Sequence, residues 1–385
     1  MDVVCDGGRI VAVGGDATAP DGAYVIECDG RFVLPGLIDC HVHLASSGEP
    51  GALTQSMAEP AHLRSLRAAR HAEATLQAGF TTVRDLGAPE HLNIHLALAV
   101  EQGLVAGPRI RAAGMGVTMT GGHGHGFIAR EADGPDEVRK AVREQLRAGA
   151  TAIKLFATGG VMTPGVDPRS ASLGEDELAA AVDEAHKAFR VAAAHAQGTE
   201  GIRNAVLAGV DSIEHGVWLD DEIIALMVER GTYLVPTLTA PHHIAHGGEA
   251  AGIPGYMVDK AWQVLEDHIA SFRAAVNAGV PVAMGTDQGT PLSYPGENAQ
   301  EIIRMAENGL EPVDALLAAT AWASELLQME ERVGRLREGL LADIIVCDSD
   351  PLADLAVLTE PGQPAVVIKE GALVRPGISI PGGEA

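Results

Sequence analysis

The sequence predicts an α/β fold: a closed (β/α)8 TIM barrel with a small β-sandwich formed from both chain ends. Three observations carry this. Eight short β-branched or apolar runs recur along the chain, the segments separating them have helical spacing, and several runs end in His, Lys or Asp. Strand and helix alternating eight times close into a parallel barrel, whose active site sits at the C-terminal ends of the strands.

The first run, Phe32-Val33-Leu34-Pro35-Gly36-Leu37-Ile38-Asp39-Cys40, closes on His41-Val42-His43. The others follow at 79–85, 108–114, 150–154 (ending in Lys154), 190–195 (ending in His195), 210–216 (with Glu214-His215-Gly216), 232–238 and 280–287 (ending in Asp287). Between them, Ala/Leu/Glu/Arg-rich segments at 62–77, 135–148, 175–189 and 260–278 repeat their apolar residues at helical intervals. His242-His243 and His246, with Gly247-Gly248 and Gly252, mark a mobile loop after the seventh run. Short alternating strands are expected at 3–5, 7–14, 24–28 and 31–34, and again at 342–347, 364–369 and 372–375. An isolated hairpin is marginal in water, so the two ends are expected to meet. The division is residues 1–34 plus 338–385 for the sandwich and 35–337 for the barrel.

Residues i and i+2 of a strand share a face, so His41 and His43 present two imidazoles side by side at one strand end, an arrangement that chelates a divalent metal. His195, His215 and Asp287 end other staves and converge on the same mouth. Lys154 is the unusual member, because an ammonium cannot bind a cation. Desolvation beside metals would depress its pKa, and the neutral amine can add carbon dioxide to give an anionic carbamate. That group could bridge two ions, with His41, His43 and Asp287 on one and His195 and His215 on the other. The plainer alternative for Lys154 is a salt bridge to Asp287 or Glu214.

Two ions sharing a water make hydroxide available near neutral pH, with Asp287 as the natural general base. The Gly-rich segment 114–126 follows the third run and brings His123 and His125 to the mouth; His123 is placed to polarise a scissile carbonyl. No Walker-type Lys-Ser/Thr follows these glycines, which argues against phosphate binding. Tyr233, starting the seventh run, and Arg203, after His195, are further substrate-binding candidates, Arg203 for a carboxylate. Core packing for Tyr233 and an exposed helix position for Arg203 are the alternatives.

With these residues assembled, the chain resembles the amidohydrolase superfamily, and within it the imidazolonepropionase-related group of metal-dependent dipeptidases of the Xaa-Pro and Xaa-Arg/Lys type. The resemblance rests on Pro35 through His43, Ile153-Lys154-Leu155-Phe156-Ala157-Thr158-Gly159-Gly160-Val161-Met162, Thr120-Gly121-Gly122-His123, His195-Ala196, Glu214-His215-Gly216, Gly285-Thr286-Asp287 and Gly334 through Ile344. It implies N6-carboxylysine at Lys154, two divalent ions of the zinc type, and a metal-bridging hydroxide that cleaves the C–N bond of a dipeptide or N-acyl amino acid. It also implies a homo-oligomer, tetramer or octamer. Related enzymes act on carbamates, phenylureas and mycotoxin amides, so a xenobiotic amide is the alternative substrate; a catalytically silent binding or assembly protein is the reading from another class. True imidazolonepropionases lack the metal-bridging Lys, which argues against that activity. The chain begins at what resembles the family's second sandwich strand.

Composition bounds the rest. A hydrophobic fraction of 46% with only 3% aromatics describes a core of Ala, Val, Leu and Ile, suited to a layered barrel interior. The net charge of -25 repels nucleic acid and anionic membranes. Cys5, Cys28, Cys40 and Cys347 show no Cys-x-x-Cys spacing, which fits free thiols in a reducing cytoplasm. No apolar run is long enough to span a bilayer. The partner expected is therefore a small molecule with an amide-type bond.

Overall fold

The computed structural model describes residues 2–376. Seven staves form the parallel wall of the barrel: β1 (Leu37–Val42), β2 (Phe80–Asp85), β3 (Arg109–Ala112), β4 (Ile153–Phe156), β5 (Ala192–Ala196), β6 (Ser212–His215) and β7 (Tyr233–Val235). Parallel ladders join β1 to β2 and β2 to β3, then β4 to β5, β5 to β6 and β6 to β7. Between β3 and β4 the chain is stitched by Thr151 and Ala152 N–H groups, which both donate to the Ala112 carbonyl.

The eighth run is extended but forms no ladder. Pro281 has no N–H to give, and the Met284 N–H turns to Ala318, so the segment makes isolated contacts instead. Leu234 N–H donates to Pro281 and Ala283 N–H to Leu234 on one side; Cys40 N–H donates to Met284 and Asp287 N–H to His41 on the other. These bonds run the wall back to β1.

The helices lie outside. Ala61–Gln77, Leu92–Glu101, Pro135–Ala148, Glu175–Lys187, Thr199–Ala208, Asp221–Arg230, Gly255–Ala278 and Gln300–Glu307 follow successive staves. Asp220 caps one of them by accepting from Ile223 N–H at 2.8 Å. Gly231 ends that same helix and Gly209 the helix before it, at φ +68° and +88°, the left-handed turn that frees the last carbonyls to be bonded. β5 is a small-residue strand: Ala192, Ala193, Ala194 and Ala196 are fully buried.

Three expectations are corrected. The segment around His242, His243 and His246 is a helix, Thr239–Gly247, and not a mobile loop. Its start is fixed by the buried Glu301 carboxylate, which accepts from Leu238 N–H, Thr239 N–H and the Thr239 hydroxyl. The Gly-rich segment after β3 is framed by two short parallel strands, Gly116–Thr118 and Ala129–Glu131, the first bridged to β4 at Leu155. At the chain ends, residues 24–28 form no strand; Tyr24 and Val25 are exposed at 56% and 54% and have no sheet to cover them.

The two ends do meet. Phe32–Pro35, Ile344–Cys347, Val366–Lys369 and Ala372–Pro376 make a four-stranded antiparallel sheet. A hairpin of Asp2–Asp6 and Arg9–Gly14 is tied to the returning chain by Ile10 N–H to Leu340, Gly339 N–H to Ile10 and Ala342 N–H to Gly8. The part of the expected sandwich beyond residue 376 lies outside the described residues. No helix of the described residues is long and apolar enough to cross a membrane.

Candidate metal centre

β1 is buried along its whole length and delivers His41 and His43 to the C-terminal mouth. Each ring has one nitrogen tied back to protein. His41 Nδ1 lies 2.8 Å from Glu214 Oε2, and His43 Nδ1–H donates to the Gly87 carbonyl at 3.0 Å. The free Nε2 atoms then face Asp287 Oδ1, at 3.4 Å from His41 and 3.2 Å from His43. One ligand atom from each of these three residues falls within 4.8 Å of the others, a spacing that could hold a metal ion.

Asp39, two residues before His41 and on its face of the strand, clamps this group together. Its buried carboxylate accepts from His41 N–H, Thr286 N–H, the Thr286 hydroxyl (2.7 Å) and Asn298 Nδ2 (2.8 Å). Burial pushes its pKa up to about 6, with those hydrogen bonds opposing. Gly285 permits the close approach: a Cβ there would sit 2.4 Å from Val235 Cγ1 and 2.9 Å from His41 Cβ.

Register brings the remaining groups alongside. β4 pairs Lys154 with Ala193, and β6 pairs with β5 so that His195 lies beside Glu214 and Ala196 beside His215. His195 Nε2–H donates to the Gly159 carbonyl at 2.8 Å, which leaves Nδ1 free. The Thr237 hydroxyl donates to Pro236 O at 2.6 Å, so it accepts from His215 Nδ1–H at 2.7 Å and leaves Nε2 free. His195 and His215 ring centres stand 4.5 Å apart, and His41 and His215 5.4 Å. His215, Thr237 and Asp287 hold left-handed φ values of +75°, +54° and +57°, backbone strain concentrated at one site. His268, on helix Gly255–Ala278, steadies the first of them by donating Nε2–H to the His215 carbonyl.

Lys154 is buried, and among the described residues no carboxylate lies within 4.0 Å of its ammonium. The salt bridge to Asp287 or Glu214 entertained from sequence is therefore not made. The reason is competition: Glu214 is taken by Arg84 Nη2 (2.8 Å), the Ser212 hydroxyl (2.6 Å) and His41. Burial lowers the Lys154 pKa to about 8 against the pull of Glu214 and Asp287. Burial, and then the Lys154 charge or neighbouring imidazoles, hold His41, His195 and His215 well below the usual range. Asp287 is held low although burial alone would raise it, because His41, His43 and Lys154 surround it. His43 runs the other way: burial would lower it, and its hydrogen bond to the Asp287 carboxylate raises it. His41, His43, His195 and His215 are thus each anchored through one ring nitrogen with the other turned towards the mouth, the arrangement usual for metal-ligating histidines.

The mouth opens into a cavity of about 370 Å³. His123 and His125 line it with the groups above, as do His268, Met57, Phe127, Ile128, Met162, Val217, Ile244 and Tyr256. His123 Nδ1 is 2.7 Å from the Thr163 hydroxyl, and its ring centre is 4.6 Å from that of His195. His125 Nδ1–H donates to the Gly122 carbonyl.

Two expected substrate contacts are not brought here. Arg203 lies outside the cavity, on helix Thr199–Ala208, paired with Glu222 and with Asp220 at 3.2 Å. Tyr233 begins β7, and in a parallel barrel a stave's start lies at the opposite end from the mouth. It lines a separate pocket with His186 and Asp211, its hydroxyl 3.5 Å from Glu325. Sequence reasoning in turn passed over Arg84, Asp39, Thr237 and His268; only Asp39 left a signal, its i−2 spacing from His41. Substituting Thr237→Val is expected to weaken metal binding by about 10–100-fold, the usual cost of losing a partner that orients a ligand. Competition against a calibrated chelator measures it, and an unchanged affinity would remove Thr237 from this role.

Residues 32–374 match the Amidohydrolase family. The ochratoxinase of Aspergillus niger is 34% identical over 91% of this chain and 77% of its own length. Among solved structures, a prolidase complexed with N-methylphosphonate-L-proline superposes with a TM-score of 0.89 at 36% identity, covering 96% of this chain and 93% of that one. A putative prolidase from Bifidobacterium longum gives 0.85 at 32%, covering 98% and 89%. The chain belongs to the amidohydrolase family, metal-dependent hydrolases acting on C–N bonds.

Proposed function

We propose that this protein hydrolyses the amide C–N bond of a dipeptide or N-acyl amino acid carrying a large apolar group. The observation that carries the reading is the inward-facing acceptor set at the floor of a cavity whose outer wall is apolar: Met57, Phe127, Ile128, Met162 and Ile244. Prolidases and ochratoxinase being similar proteins supports it. His41, His43 and Asp287, whose ligand atoms cluster, would hold one ion, and His195 and His215 would hold a second, with Lys154 as a carbamate ligand. Such mixed imidazole and carboxylate sites take zinc, manganese, cobalt or iron. When bound, the ions supply Lewis acidity and bring the pKa of water towards neutrality.

The chain's own side chains do the rest. Asp287, ionised across the working range, accepts the proton of the attacking water and passes it to the leaving amine nitrogen. His123 donates to the carbonyl oxygen as charge develops on it. The apolar wall takes the flanking group and excludes water.

One observation favours the second reading, a xenobiotic amide, carbamate, phenylurea or mycotoxin amide. Among the described residues no guanidinium lines the cavity, so a free carboxylate on the substrate has no Arg to meet. Metal-reconstituted protein assayed on Xaa-Pro dipeptides, N-acyl-phenylalanines and the matching carboxamides separates the two. Turnover of the acids that is lost on capping the carboxylate supports the first, and equal turnover the second. No amine released from any member contradicts both.

A further inference from the structure

The loop at 159–166 forms one wall of the cavity and carries two groups that orient its imidazoles, the Gly159 carbonyl on His195 and the Thr163 hydroxyl on His123. Residues 160–166 lie outside every described helix and strand, with a turn at 164–165. Four of their carbonyls are held by helix Gly255–Ala278. Lys260 Nζ donates to Gly160 O at 3.1 Å, Thr163 O at 2.7 Å and Val166 O at 2.5 Å, and the Tyr256 hydroxyl to Met162 O at 3.0 Å. An ammonium has three N–H donors, so Lys260 is fully spent on this loop, and no carboxylate lies within 4.0 Å of it among the described residues.

What the loop holds is a proton position. The Thr163 oxygen accepts from Gly124 N–H at 3.1 Å, and the only described acceptor for its own hydrogen is His123 Nδ1. If Nδ1 carried the ring proton, the hydroxyl hydrogen would have no protein acceptor among the described residues. The geometry thus favours a hydroxyl that donates to Nδ1 and a ring proton on Nε2, the tautomer that can donate to a carbonyl oxygen. Gly160 is in contact with the same ring: a Cβ there would lie 2.6 Å from His123 Nε2. A shift of the loop by an ångström would thus disturb both the hydroxyl and the ring.

We propose that Lys260 is a positioning residue, whose ammonium gathers the Gly160, Thr163 and Val166 carbonyls so that the Thr163 hydroxyl holds His123 with its proton on Nε2. The catalytic value of that proton rests on the function proposed above; the tautomer itself does not. The test uses zinc-reconstituted, isotope-labelled full-length protein and long-range proton–nitrogen correlation of the His123 ring. Wild type should show an acceptor-type Nδ1 and a pyrrole-type Nε2. Lys260→Met and, separately, Thr163→Val should each give a mixture of tautomers. With a substrate from the panel, Lys260→Met should lower kcat by about 10- to 100-fold with KM nearly unchanged, less than the ~10²–10³ of losing an oxyanion donor outright. Lys260→Arg should restore part of it. A single Nε2–H tautomer in Lys260→Met or in Thr163→Val overturns the proposal, as does unaltered kcat. If Lys260→Met does not fold, Lys260→Gln, with two amide donors, carries the same readouts. Should wild type turn over no panel member, the functional reading fails while the ring signals still decide the role of Lys260.

Discussion

Replacing Asp287 by Asn is expected to cut kcat by about 10²–10⁴-fold, the range for removing a positioned general base. The substitution is chosen for its backbone. Asp287 sits at φ +57°, which Asn tolerates nearly as well as Asp, so the turn after the eighth stave should survive. The Asp287 N–H bond to the His41 carbonyl at 2.8 Å is likewise kept. What is lost is the negative charge beside His41 and His43 and the oxygen that takes a proton. Asp287 is held below the usual carboxylate range, so the wild-type base is ionised across the assayed pH range, and an Asn side chain cannot ionise, so raising the pH should not rescue the variant. Initial rates from pH 6 to 9, with metal content and melting temperature measured in parallel, check this. More than a tenth of wild-type turnover in a fully folded variant would contradict the role.

The largest effect on stability is expected at Glu214. Both Glu214 and Arg84 are fully buried, and their 2.8 Å bond is the centre of a network that includes Ser212, the Cys40 carbonyl and His41. Glu214→Leu leaves the guanidinium without its counter-charge in the barrel interior, at a cost of about 3–5 kcal/mol. Arg84→Met with Glu214→Leu should recover much of that loss, since a buried pair replaced by apolar side chains of similar volume is often neutral or stabilising. Denaturant unfolding of chelator-treated protein separates this from metal-linked stability. A loss below about 1 kcal/mol in the single variant would show that the pair is solvated or replaceable, against the typical cost. The double variant should still lose activity, because His41 Nδ1 no longer has Glu214 beside it.

The sequence carried the barrel because a parallel stave leaves a local trace, an apolar run followed by a helical one, and its last residue is fixed at the mouth. His41, His43, Lys154, His195, His215 and Asp287 were all readable on that basis, and the structure brings them to one place. The supporting partners left no such trace. Thr237 meets His215 across two staves, Arg84 meets Glu214 across the barrel interior, and His268 reaches in from an outer helix. Each pairing is made by closure of the fold and not by spacing along the chain. Arg203 and Tyr233 do not line the cavity. A useful side-chain type near a ligand in sequence says nothing of which end of the stave, or which helix face, it occupies. The helix at Thr239–Gly247 was hidden because its N-terminal partner, Glu301, lies far along the chain.

On the proposed function, His41, His43, Lys154, His195, His215 and Asp287 would hold two divalent ions, with Lys154 modified by carbon dioxide. Elemental analysis combined with carbon NMR of protein reconstituted in ¹³C-bicarbonate tests it most directly. The amine must lose its proton before it can add carbon dioxide, so labelling should grow as the reconstitution pH rises through about 8. The expected result is two ions per chain and a carbamate resonance that Lys154→Ala abolishes together with at least one ion. An unmodified Lys154 with less than one ion per chain under metal-replete, bicarbonate-containing conditions would contradict the account.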